Sequence, residues 1–273
     1  MPVLKTPNAR SNAYSEIVHD MRRQLLLILL LPASLVLAQT PEADLKKALV
    51  LKDQKRWEES LAIFQQLLKS DSTRVPYLTN TAYLLCKAGN RETVDEKRQS
   101  YFRKAEYLSR KAIALQATDA EAHYNYALAL GRINENASSK QKIANAKVIR
   151  NECDLALKYD PKLAGAWHIL GRWHRTVAGF NFVEKAMINT LFGGVPEGGS
   201  YESAIDCFSK AVQLEPEVML HKIELAQTYA DRNQGKDDVL ARVWCKKVLD
   251  LTARDDDDRD CVSRAKALLA KLD

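Results

Sequence analysis

From Ala43 to the C-terminus, apolar residues recur at helical spacing between short polar breaks, and almost nothing alternates as a strand would. Residues 57–70 show the pattern plainly: Trp57, Ser60, Leu61, Phe64, Leu67 and Leu68 share one helical face. The same reasoning predicts helices over 42–54, 77–88, 101–116, 120–132, 141–159, 220–231, 239–251 and 259–272. Gly89-Asn90 reads as a C-cap, and Asp119 as the N-cap of the helix after it. An all-α fold follows.

The stretch from Pro161 to Pro216 identifies the repeat. Trp167, Leu170, Gly171 and His174 fit the W-x2-L-G-x2-Y half of a tetratricopeptide unit, with His174 in the final slot. Ala204, Phe208 and Pro216 supply A-x3-F and the closing proline. The small-x3-large phase recurs before closing positions near Ser72, Ala117, Pro161, Pro216 and Ala253, each step being longer than the 34-residue unit. The chain therefore reads as a tetratricopeptide-like helical-hairpin solenoid of about five decorated repeats, with 259–272 as a C-terminal capping helix. The longest decoration runs from Gly179 to Ser200.

Stacked hairpins place their first helices along one concave groove, so recognition on that surface is the expected function. Register around the Leu-Gly slots places Tyr124, Leu128, Arg132, His168, Arg172, Arg175, Ile223 and Gln227 along it. The three arginines would suit a carboxylate or phosphate, unless they pair with neighbouring glutamates. Within the insertion, Phe182, Val183, Met187 and Leu191 share a helical face with Phe180 and Phe192 beside it. That helix either packs on the fourth unit or lines an apolar pocket for an acyl chain or peptide. The leading expectation is a non-enzymatic scaffold binding a protein or peptide partner in the groove. A phospholipid-binding or lipid-transfer module is the alternative.

The N-terminal part differs in pattern. Residues 1–20 have no apolar period and read as disordered or as a mis-assigned extension. Met21-Arg22-Arg23, the apolar run from Leu25 to Leu31 and the small residues before Gln39 have the three parts of a secretory signal. Cleavage near Ala38-Gln39 would export a single domain of residues 39–273, to the periplasm in a bacterium. An N-terminal membrane anchor is the alternative, although Pro32 interrupts the run well short of a spanning length.

Composition adds limits. The chain is 46% hydrophobic and 28% charged with a net charge of +6 at pH 7, too mild and interspersed to indicate a nucleic acid partner. Cys86, Cys153, Cys207, Cys245 and Cys261 lack metal-ligand spacing and are expected as buried small residues, free or with one bridge. His123, His168 and His174 are not at the i, i+4 spacing of a zinc helix and are expected in structural or groove-lining roles. Asp255 to Asp258 lack the spacing of a calcium loop and read as a solvated helix start. No nucleophile elbow or phosphate-cradling glycine motif is present, so neither enzymatic activity nor a cofactor or metal is expected. Sequence leaves the oligomeric state open.

Ala166 to Trp173, Glu184-Lys185, Leu191-Phe192 and Ala204 to Pro216, with Ala122-His123 and Tyr126-Ala127, resemble the regulator of microtubule dynamics family. The resemblance covers about 43–273 and is strongest over about 119–251. It implies a non-enzymatic helical module, with microtubule association in some members and phospholipid binding in a mitochondrial outer-membrane tether. It carries over no catalytic residue.

Overall fold

The computed structural model describes residues 40–191, 194 and 197–272, without the side chain of Leu191. The residues from Pro41 on form one compact unit. Among the described residues there are twelve α-helices. In chain order they are α1 Pro41–Asp53, α2 Trp57–Ser70, α3 Val75–Arg91, α4 Asp95–Leu115, α5 Ala120–Ile133 and α6 Ser139–Tyr159. They continue with α7 Ala164–Ala178, α8 Phe182–Leu191, α9 Tyr201–Leu214, α10 Met219–Arg232, α11 Asp237–Leu249 and α12 Asp256–Leu272.

The pairs α1/α2, α3/α4, α5/α6, α7/α9 and α10/α11 pack as antiparallel hairpins, and each outer helix buries a face at i, i+4, i+7 spacing, the phase of the repeat. Ser60, Phe64 and Leu67 in α2 are buried, as are Ala105, Ser109 and Ala112 in α4. The same holds for Ile149, Cys153 and Ala156 in α6, for Ala204, Phe208 and Ala211 in α9, and for Ala241, Cys245 and Val248 in α11. Each set shares the phase that the sequence repeats, and each closes against the helix before it. In the fourth unit Gly171 allows this closure: a Cβ there would stand 3.0 Å from three atoms of the Phe208 ring.

Inner helices touch their inner neighbours from α3 through α5, α7 and α10 to α12. The last helix, expected as a terminal cap, thus takes an inner position and forms part of the concave wall. Its Cys261, Ala265 and Leu268 join the core of Met219, Ile223 and Cys245.

Local side chains fix the helix starts. Asp119 accepts from the Ala122 amide at 2.8 Å, and Ser200 accepts from the Ser203 amide at 3.0 Å. The inserted helix α8 opens on a reciprocal capping box: the Glu184 amide donates to Asn181 Oδ1 at 2.9 Å, and the Asn181 amide donates to Glu184 Oε2 at 2.8 Å. Gly89-Asn90 does not end α3, which runs on to Arg91.

Candidate binding cavity

The inner helices enclose a cavity of about 460 Å³. Along one wall Trp57, Tyr83 and Tyr124 form an aromatic row, with ring centroids 6.1 Å apart between Trp57 and Tyr83 and 6.5 Å apart between Tyr83 and Tyr124. Lys52 Nζ and Lys87 Nζ lie 5.8 and 5.7 Å from the Tyr83 ring centroid. Lys52 donates to Asn80 Oδ1 at 2.7 Å, and the Glu121 carboxylate on the same cavity lining is within its electrostatic reach.

Arg132, His168, Arg172 and His221 also line the cavity. Glu215 Oε2 lies 3.0 Å from His221 Nε2, and His221 Nδ1 lies 2.9 Å from His168 Nδ1. One proton must sit between the two facing Nδ1 atoms, so one ring donates and the other accepts. Burial draws His168 well below the ordinary histidine value, with His221 adding to the push, so His168 is neutral at physiological pH.

Arg172 has no side-chain hydrogen bond or ion pair among the described residues, although Arg132 reaches Glu135 at 3.1 Å. Its side chain is reached by solvent yet surrounded by protein atoms, and this desolvation lowers its pKa. Glu224 opposes that shift, while Arg132 and Arg175 add to it. An unpaired, partly desolvated guanidinium near the His168 ring is suited to an anionic group.

Of the eight residues expected along the groove, Tyr124, Leu128, Arg132, His168 and Arg172 line the cavity. Three do not. Ile223 is 1% exposed and packs in the core with Met219 and Cys245, because α10 turns that face toward α11 and α12. Arg175 is tied to Glu224 by a 2.5 Å contact, and Gln227 donates to Asp231 at 2.7 Å. The missed wall of Tyr83 and Lys87 could have been found by continuing the i, i+4 register of Tyr124 and Leu128 into α3.

None of the described residues of the inserted helix lines the cavity. Phe182 is 85% exposed and Val183 and Met187 also face solvent, while Ile188 is buried. Phe180 packs against the core around Trp173 and Val177. Phe192, the side chain of Leu191 and Gly193 lie outside the described residues.

His123 is structural, its Nδ1 lying 2.6 Å from the buried Glu152. His174 is buried as well. The described residues hold no cluster of metal-ligating side chains. All five cysteines are free and buried. The Asp255 to Asp258 run is not simply a solvated helix start, because Asp255, Asp257 and Asp258 face lysines of the first two hairpins.

The hairpin phase and the inner row of helices define a tetratricopeptide-like solenoid. A thermophilic TPR protein of Thermus thermophilus shares the fold, with a TM-score of 0.60 at 16% identity over 85% of this chain and all of that one. Residues 44–273 match the model of the family described as Regulator of microtubule dynamics protein 1-3, and the chain belongs to that family. It is 30% identical over 176 residues to the Bos taurus regulator of microtubule dynamics protein 1, covering 64% of this chain and 54% of that protein. It is 27% identical over 184 residues to the Homo sapiens protein 1, covering 67% and 57%. To the Rattus norvegicus protein 2 it is 25% identical over 181 residues, covering 66% and 43%. The chain thus spans about half the length of these relatives.

Family membership corrects the expected localisation. The relatives are animal proteins, regulators of microtubule dynamics by name, and they overturn the expectation of an exported, periplasmic protein cleaved near Ala38-Gln39. Residues 21–38, on which both export and its membrane-anchor alternative rested, lie outside the described residues. Among the described residues no helix is long and apolar enough to cross a membrane.

Proposed function

We propose that the protein is a non-enzymatic interaction module that holds an acidic segment of a protein partner in the central cavity. The observation that carries this reading is Arg172: it lines the cavity and makes no side-chain hydrogen bond or ion pair among the described residues, in a site that the Tyr83 and Tyr124 row also lines. Arginine supplies directional donors to a carboxylate, and the aromatic rings supply contact area with little entropy to lose. The relatives' name associates them with microtubule dynamics, and the portion they share with this chain would act as their recognition module.

Affinity capture from the native host tests this, with wild type and Arg172→Glu compared by quantitative mass spectrometry. A specific protein enriched by wild type and lost about tenfold or more with Arg172→Glu supports the reading, a reversed charge-assisted contact costing on the order of 1.5–3 kcal/mol. Identical profiles contradict it.

A further inference from the structure

The two ends of the superhelix meet across the cavity, and among the described residues they do so through side chains alone. Among the described residues α12 packs as a helix only against α10 and α11. Yet Lys55, in the α1–α2 turn, reaches Asp258 at 2.7 Å and Asp255 at 3.4 Å. Trp57 Nε1 donates to Asp255 Oδ2 at 3.2 Å. From α3, Lys87 reaches Asp257 at 3.0 Å, and Arg91 lies 3.6 Å from Asp255 and 3.5 Å from Asp257. These partners are about 170 to 200 residues apart in the chain. Lys55, Trp57, Lys87, Asp255, Asp257 and Asp258 all line the cavity, so the contact forms part of its wall.

The backbone at Lys55 points the same way. Its φ is +60°, the left-handed conformation that favours glycine at a helix C-terminus. A lysine there carries strain, which its contacts to Asp255 and Asp258 offset.

We propose that this junction is an electrostatic latch: the lysines and arginine of the first two hairpins hold the acidic start of α12, and its release opens the cavity. A solenoid closed by ion pairs and one indole hydrogen bond, with no apolar core cluster shared across the seam among the described residues, separates at far lower cost than any hairpin–hairpin interface. Salt weakens the seam selectively, since the Debye length falls to about 3 Å at 1 M. The latch rests on the binding reading only for what its opening admits; closure itself is measured without any ligand.

Asp255 and Asp258 also cap α12, the Asp258 amide donating to Asp255 Oδ1 and the Arg254 amide to Asp258 Oδ2. The test therefore alters the basic side. Zero-length carbodiimide coupling of the full chain at low salt is expected to join Lys87 to Asp257. The yield is expected to fall about fivefold at 1 M salt relative to the Lys97–Glu92 link, whose partners at 2.6 Å are neighbours in the chain. Hydrogen exchange over 254–262 is expected to rise about fivefold in Lys87→Glu and to return in Lys87→Glu/Asp257→Lys. Lys55→Gly is expected to raise the same exchange without lowering Tm, because glycine relieves the strained turn. A salt-independent Lys87–Asp257 link, or exchange over 254–262 unchanged by Lys87→Glu and Lys55→Gly, would overturn the latch. Either result leaves the partner comparison at Arg172 untouched, and loss of that partner leaves the exchange result untouched.

Discussion

Gly89 lies so close to the ring of Phe102 that a Cβ on it would stand 2.4 Å from the ring's Cε1 atom. Phe102 is 1% exposed and cannot move aside, so this glycine sets how closely α3 and α4 approach. Gly89→Ala is expected to destabilise the fold by about 1–3 kcal/mol, despite alanine's better helix propensity. Gly131, also helical, has nothing within 4 Å of where its Cβ would be, and Gly131→Ala is expected to stabilise by about 0.5–1 kcal/mol. Urea unfolding of the two variants should move in opposite directions; shifts of the same sign would contradict this packing account.

Glu224 ties three inner helices together. It is 4% exposed and accepts from Arg175 of α7 at 2.5 Å and from Arg264 of α12 at 2.6 Å. Burial opposes its ionisation, but Arg175, His168, Arg264 and Arg172 outweigh that and hold its pKa at about 2. Because the folded value lies below the unfolded value of 4.5, this stabilisation is fully present above pH 4.5 and is lost as pH falls through about 2. Glu224→Gln is expected to cost on the order of 3 kcal/mol at pH 7, leaving two half-buried arginines without their partner. The gap between variant and wild type in denaturant midpoint should narrow below pH 4.5. A gap constant down to pH 2 would contradict the ionic role.

His168 acts over a higher pH window. Burial and His221 hold it well below 6.5, Arg172 and Arg132 add to this, and Glu224 opposes. The edge of the Phe208 ring stands against the imidazole, with centroids 5.4 Å apart. The unfolded chain takes up this proton below pH 6.5 while the folded chain resists it, so stability should fall as pH drops from 6.5. His168→Asn should flatten that part of the stability–pH curve and leave the segment below pH 4.5 in place. A wild-type curve flat between pH 6.5 and 5 would contradict the assignment.

Burial pushes the thiols of Cys86, Cys207 and Cys261 up to about 12 and that of Cys245 up to about 11, and it raises Cys153 as well. Thiolate is the reactive form, so alkylation at pH 8 should label these cysteines only in denaturant. Rapid labelling of the native protein would place at least one thiol outside the core.

How much of this was legible in the sequence depends on how far apart the interacting residues lie. The small-x3-large phase of Ala204, Phe208 and Ala211 is a local pattern, and its recurrence disclosed the hairpins and their order. Gly89 was misread because a Gly-Asn pair after an apolar run looks like a helix stop, and only Phe102, on the next helix, shows that it is a close approach. Arg172 and Arg175 were indistinguishable as sequence. What separates them is Glu224, some 50 residues on, which pairs directly with Arg175 at 2.5 Å but acts on Arg172 only at longer range. The acidic start of α12 looked solvated because its lysines lie at the other end of the chain. The exposed face of α8 carries the helical period of a buried one, so periodicity alone could not tell packing from exposure.

The central claim, that the cavity receives the partner, is tested most directly by a photo-cross-linking residue at Leu128 on the cavity wall, compared with one at Tyr107, 64% exposed and away from the cavity. In the native host the Leu128 position is expected to give a discrete cross-linked protein that Arg172→Glu abolishes, and the Tyr107 position is not. The same cross-link from both positions, or one at Leu128 indifferent to Arg172→Glu, would contradict it.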